Sequence, residues 1–173
     1  MLAYVFWHWP AARVDPTRYE KALLAFHGSL AAERIPGLRG SRIFEVKGAP
    51  FLSVGYAFED WYFVDDFAAL GVLNERAASG SCAESHHAVA AEADGGTGGV
   101  YRQLSAGVRP PGSVTWLKKP SGLSYRDFRA RLPPGELWQR QMTLGPAPEF
   151  CLFEAELPEG LCGARLVLRR VHP

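Results

Sequence analysis

The run Gly40-Ser41-Arg42-Ile43-Phe44-Glu45-Val46-Lys47, the turn Gly48-Ala49-Pro50, and the run Phe51-Leu52-Ser53-Val54-Gly55-Tyr56-Ala57-Phe58-Glu59-Asp60-Trp61 decide the fold. Two strand-like segments flank a Gly/Pro turn, so they predict an antiparallel hairpin. In the second segment Leu52, Val54, Tyr56 and Phe58 alternate with Ser53, Gly55, Ala57 and Glu59. That period of two gives one face to a core and the other to a mixed environment.

Upstream, Tyr19, Leu23, Phe26 and Leu30 recur at helical spacing. Asp15 is placed to cap that helix, Pro16 suits its first turn, and Pro36-Gly37 stops it, so a helix is predicted over 16–34. Before it, residues 2–9 read as a buried strand rich in Tyr, Val, Phe and Trp, ended by Pro10. Downstream, a helix is predicted over 64–78 and a shorter one over 83–93. The glycine-rich run 94–99 reads as a connector and 100–105 as a fourth strand. The order is strand, helix, strand, strand, helix, strand, the split βαβ pattern. After a boundary at Arg109-Pro110-Pro111-Gly112 the order begins again: strand 113–118, helix 123–131, strands 136–144, 150–157 and 164–171. Its second helix shrinks to 158–163. The expected fold is therefore α+β: tandem ferredoxin-like halves, 1–108 and 109–173, with antiparallel sheets forming an α/β barrel and the second half truncated in its last helix. Each half covers one sheet face with helices, so the two uncovered faces are expected to meet and enclose a shared interior.

The aromatic first strand Tyr4–Trp9, the hairpin Arg42–Phe58, the stretch Asp65-Asp66-Phe67-Ala68-Ala69-Leu70 and the closing Val100-Tyr101-Arg102-Gln103-Leu104 resemble the dimeric α/β-barrel superfamily. That group holds small cofactor-free monooxygenases, EthD-like proteins and muconolactone-isomerase-like enzymes. The resemblance covers residues 1–107 and extends over 112–173 through topology alone. It implies a cavity between the sheet and its counterpart, with one or two polar residues inside. Fold likeness supports a pocket, not a reaction.

Bulk composition excludes several classes. Apolar residues make up 47% and charged residues 21% of 173, enough for a packed core without staples. Net charge is +1, and the basic pairs Lys118-Lys119 and Arg169-Arg170 are too short for a nucleic-acid footprint. Three cysteines, Cys82, Cys151 and Cys162, match neither a disulfide framework nor a zinc pattern. No run reaches membrane-span length, and the apolar N-terminus lacks a basic leader region and stops at Pro10. A soluble, cytoplasmic protein is expected, with a small-molecule ligand, no membrane or nucleic-acid partner, no metal and no cofactor; a homodimer is compatible.

His8, near the end of the first strand, is placed to reach the enclosed cavity if Tyr4, Phe6 and His8 share a face. It then serves as a general base; otherwise it is a half-buried imidazole tied to a loop carbonyl. Glu59 is the second catalytic candidate if desolvated, against a solvated strand-end carboxylate. Trp61 supplies a flat wall for an aromatic ligand or fills the core. Arg42 and Arg102 meet an anionic ligand group if they point inward, or are salt-bridged at the surface. Trp138, Arg140 and Met142 share one face and Gln139, Gln141 and Thr143 the other; either lines the interior. His86 and His87 are adjacent, hence about 100° apart on a helix, and read as surface positions rather than a ligand pair. His27 marks the edge of a packed helix face. Three functions stay open: cofactor-free conversion of an aromatic or enolic molecule, ligand binding without catalysis, and a structural protein with a filled core.

Overall fold

The computed structural model describes residues 1–107 and 111–172. The chain runs β1 (Leu2–Pro10), α1 (Pro16–Glu33), β2 (Leu38–Lys47), β3 (Tyr56–Val64) and α2 (Phe67–Ala77). A 3-10 turn (Gly80–Cys82), α3 (Ala83–Ala90) and β4 (Ala93–Ser105) follow. Then come β5 (Ser113–Leu117), α4 (Tyr125–Arg131), β6 (Glu136–Arg140), β7 (Phe150–Phe153), β8 (Gly163–Val167) and β9 (Arg169–His172). The Asp15 carboxylate accepts the Thr17 N–H at 2.9 Å to cap α1, and Asp66 accepts the Ala69 N–H at 2.9 Å to cap α2.

Among the described residues all nine strands belong to one antiparallel sheet, in the order β8-β5-β7-β6-β4-β1-β3-β2-β9. The fold class is α+β, as expected. The boundary placed at Arg109-Pro110 lies outside the described residues. The two edge strands, β8 and β9, are separated in the chain by Leu168 alone. A flat sheet of this order would hold them about 38 Å apart, eight steps of about 4.8 Å, whereas one residue advances about 3.3 Å. The sheet therefore curls until its edges nearly meet, with the Leu168 N–H bonded to the Gly112 carbonyl at 2.9 Å. Among the described residues no ladder joins β8 to β9 directly.

The concave face is filled. Trp7, Trp61, Trp116, Trp138, Tyr101 and Phe153 are each at most 1% exposed and belong to one cluster drawn from both parts of the chain. Trp61 meets Trp138 edge-on at 5.4 Å, and Trp7 meets Trp116 at 5.4 Å. The expected cavity between facing sheets is therefore corrected to a packed core. A narrow curled sheet leaves an interior just wide enough for side chains, and four indoles occupy it.

Two segments depart from their expected roles. Residues 51–55, read as the start of the third strand, form turns before β3. Their apolar residues Phe51, Leu52 and Val54 pack onto the end of the indole core, and Phe51 meets Trp7 edge-on at 5.4 Å. The glycine run 95–99, read as a connector, is part of β4. A Cβ at Gly96 would lie 2.4 Å from the Phe6 ring, and one at Gly98 2.6 Å from the Tyr4 ring. The glycines let aromatic rings of β1 lie flat across β4.

The opposite face carries the helices. Phe26 and Leu30 of α1, Leu73 of α2 and Cys82 pack with Leu2, Tyr62 and Val64. Phe128 of α4 packs on Leu117, Leu137, Phe150 and Leu152.

A buried His–Asp–His cluster in a helix-side cavity

Between the sheet and α1, α2 and α3 lies a cavity of about 940 Å³. Tyr4, Phe6 and His8 of β1 and Asp60 and Tyr62 of β3 line its sheet side. Tyr19 and Phe26 of α1, Phe67, Leu70 and Ala77 of α2, and His86 and Val89 of α3 line its helix side. Strand alternation explains the sheet side. Tyr4, Phe6 and His8 share one face of β1, while Phe58, Asp60 and Tyr62 share the same face of β3, in register as Tyr4↔Tyr62, Phe6↔Asp60 and His8↔Phe58.

Asp60, 1% exposed, is the hub. Its Oδ2 lies 3.1 Å from His8 Nε2 and 3.1 Å from His27 Nε2, and accepts the Tyr62 hydroxyl at 2.9 Å. The His8 contact has the distance of an ion pair without the alignment of a hydrogen bond. His8 Nδ1 pairs with the Tyr19 hydroxyl at 2.8 Å, and His27 Nδ1 with the Ser41 hydroxyl at 2.7 Å. Burial by itself raises the Asp60 pKa, but the attraction of the facing His8 and His27 imidazoles and the hydrogen bond from His27 outweigh it and hold the carboxyl well below its ordinary range. Burial, then the Asp60 charge, pushes the Tyr19 and Tyr62 hydroxyls far up, so both remain protonated.

The structure brings one of the seven sequence-derived candidates, His8, to the cavity. It sits on the helix-covered side, not in the space between sheets, because the side of β1 carrying Trp7 turns inward. Glu59 and Trp61 are buried in the indole core, where Glu59 accepts the Trp7 and Trp61 indole N–H groups, each at 2.7 Å. Burial pushes the Glu59 carboxyl up to about 7, with the indole bonds opposing it. Arg42 does point inward, but it meets Glu136 at 3.1 Å and covers the Phe63 ring. Trp138 is in the core and donates to the same Glu136 at 2.9 Å. Arg140 holds the carbonyls of Gly145 and Ala147, and Arg102 bonds Gln141 at the surface.

Asp60, Tyr19, His27, Tyr62 and His86 escaped the sequence reading. Asp60 left a signal: a lone carboxylate on the face of Phe58, Tyr62 and Val64. His86, read as a surface position, lines the cavity, packs edge-on to Phe26 at 5.5 Å, and has its pKa lowered by burial and then by His87. Among the described residues no group of three or more His, Cys, Asp or Glu is arranged to hold a metal ion. Nor is any helix there long and apolar enough to cross a membrane.

No family model matches the chain, and no curated protein matches it. A crystal structure described as "Putative monooxygenase" from Fusobacterium nucleatum subsp. nucleatum is similar, with a TM-score of 0.61 over 98% of this chain and 92% of that one. The two share a fold. At 9% sequence identity the likeness extends to the fold alone.

Proposed function

We propose that the chain binds a small aromatic or enolic molecule in the helix-side cavity and transforms it without a cofactor, with His8 exchanging a proton with the ligand. The observation that carries this reading is the His8–Asp60 pair on the wall of a largely aromatic and aliphatic cavity of about 940 Å³. In the tautomer whose Nδ1–H donates to the Tyr19 oxygen, Nε2 is the ring atom left to take a proton, and the Asp60 carboxylate faces the charge that forms. The strand orders β4-β1-β3-β2 and β8-β5-β7-β6 repeat one permutation. That repetition supports reading the fold as two ferredoxin-like halves wrapped into a barrel, with the reactive site outside the barrel. The fold shared with a structure described as a monooxygenase is compatible with oxidative chemistry on such a ligand.

The test uses 2-naphthol, whose C1 hydrogen exchanges through its enol–keto equilibrium. Its hydroxyl proton passes to His8, a deuteron from solvent adds to C1, and the original C1 proton leaves. Proton NMR in D2O should show exchange faster than in buffer, and His8→Gln should slow it about 100-fold. If 2-naphthol binds but exchanges no faster than in buffer, the catalytic reading falls and a binding protein remains.

A further inference from the structure

Asp60 uses its two oxygens unequally. Oδ2 faces three partners, His8, His27 and Tyr62. Oδ1 is buried and meets no donor among the described residues, although Asp60 lines the cavity. An ionised carboxylate can only accept, and a buried acceptor left unpaired is costly. None of the described residues lining the cavity is a lysine or an arginine. A ligand carboxylate or phosphate would face Asp60 with no lysine or arginine to offset it. Around this carboxylate the walls are mostly ring faces and aliphatic groups, including Tyr4, Phe6, Tyr62 and Phe26, with Asn74 and His86 on the helix side.

We propose that the cavity selects an apolar ring body carrying one hydrogen-bond-donating head, a hydroxyl or an amine, and rejects anionic heads, because Asp60 Oδ1 reads the head. This rests on the cavity reading above and adds the headgroup rule. It reverses the expectation that an inward arginine holds an anionic group, since Arg42, Arg102 and Arg140 are engaged elsewhere. A donor head completes the set of hydrogen bonds at Asp60, while the ring body stacks on the aromatic floor.

Four probes of one shape test it by calorimetric titration: 2-methylnaphthalene, 2-naphthol, 2-naphthylmethylamine and 2-naphthoate. At least one donor-bearing probe should bind about ten-fold or more tighter than 2-methylnaphthalene, and 2-naphthoate should bind more weakly than all three. Which of the hydroxyl and amine binds tighter identifies the natural head. In Asp60→Asn the advantage of the donor-bearing probe should shrink to within about three-fold, with 2-methylnaphthalene unchanged. Should Asp60→Asn fail to fold, the four wild-type affinities still decide. Equal affinity for the methyl and donor heads, or naphthoate binding as tightly as naphthol, overturns the headgroup rule and leaves the cavity reading standing. Binding of none of the four overturns both.

Discussion

Glu59 and Asp60 are sequence neighbours on opposite faces of β3, and their carboxyl groups respond to pH in opposite directions. Glu59 is raised from 4.5 to about 7 in the folded chain, so between those values the folded state holds a proton that the unfolded state has lost. Its contribution is most favourable below about 4.5 and is lost as pH rises toward 7, a swing of about 3 kcal/mol. Asp60 is lowered, so its contribution is present above its unfolded value and is lost as acid protonates it. Urea unfolding of the wild type at pH 5, 6 and 7 should therefore show stability falling relative to Glu59→Gln. Parallel profiles for the two proteins would contradict a neutral, buried Glu59. Asp60 was legible in principle: it interrupts the apolar set Phe58, Tyr62 and Val64 at strand spacing. It was hidden because the third strand was begun at Phe51 and ended at Trp61, which left Tyr62 and Val64 out of the pattern that makes a lone carboxylate conspicuous.

At the scale of elements, β4 decides whether there is room for a ligand. In the sequence its glycines read as a linker because glycine is a weak strand former and a strong turn signal. What outweighs propensity is the row of rings on β1 that needs a bare neighbour, and no local pattern reveals that pairing. Gly98→Val should drive the Tyr4 ring off β4 and into the cavity, since an added Cβ comes within 2.6 Å of it. The expected result is a loss of about ten-fold or more in affinity for 2-methylnaphthalene by calorimetry, with the far-UV spectrum of the sheet retained. Unchanged affinity would separate the cavity from the flat-lying rings. The helices were read more accurately, α1 within one residue of its observed end, because the Asp15-Pro16 start and the Tyr19–Leu30 stripe are local signals.

Over the whole molecule, the succession of strands along the chain was largely readable, although the single strand expected over 164–171 divides at Leu168 into β8 and β9; the fate of the interior was not. Whether two sheets enclose a space depends on the summed volume of inward side chains, and the facing partners Trp7 and Trp116 lie 109 residues apart in the chain. Leu168 is where that architecture is most vulnerable. It is 6% exposed within the indole cluster, while its neighbour Val167 is 81% exposed. Leu168→Glu should cost about 3 kcal/mol or more by urea unfolding, while Val167→Glu should stay within about 0.5 kcal/mol. Equal effects would show that the residue between β8 and β9 is not part of the packing. The same seam has a consequence for synthesis. Residues 163–172 are translated after every other strand, so a nascent chain carries β2 and β5 with bare flanks until those last residues arrive. During that interval two growing polypeptides on one messenger can pair flank to flank, and the window closes when β8 is laid on β5 and β9 on β2.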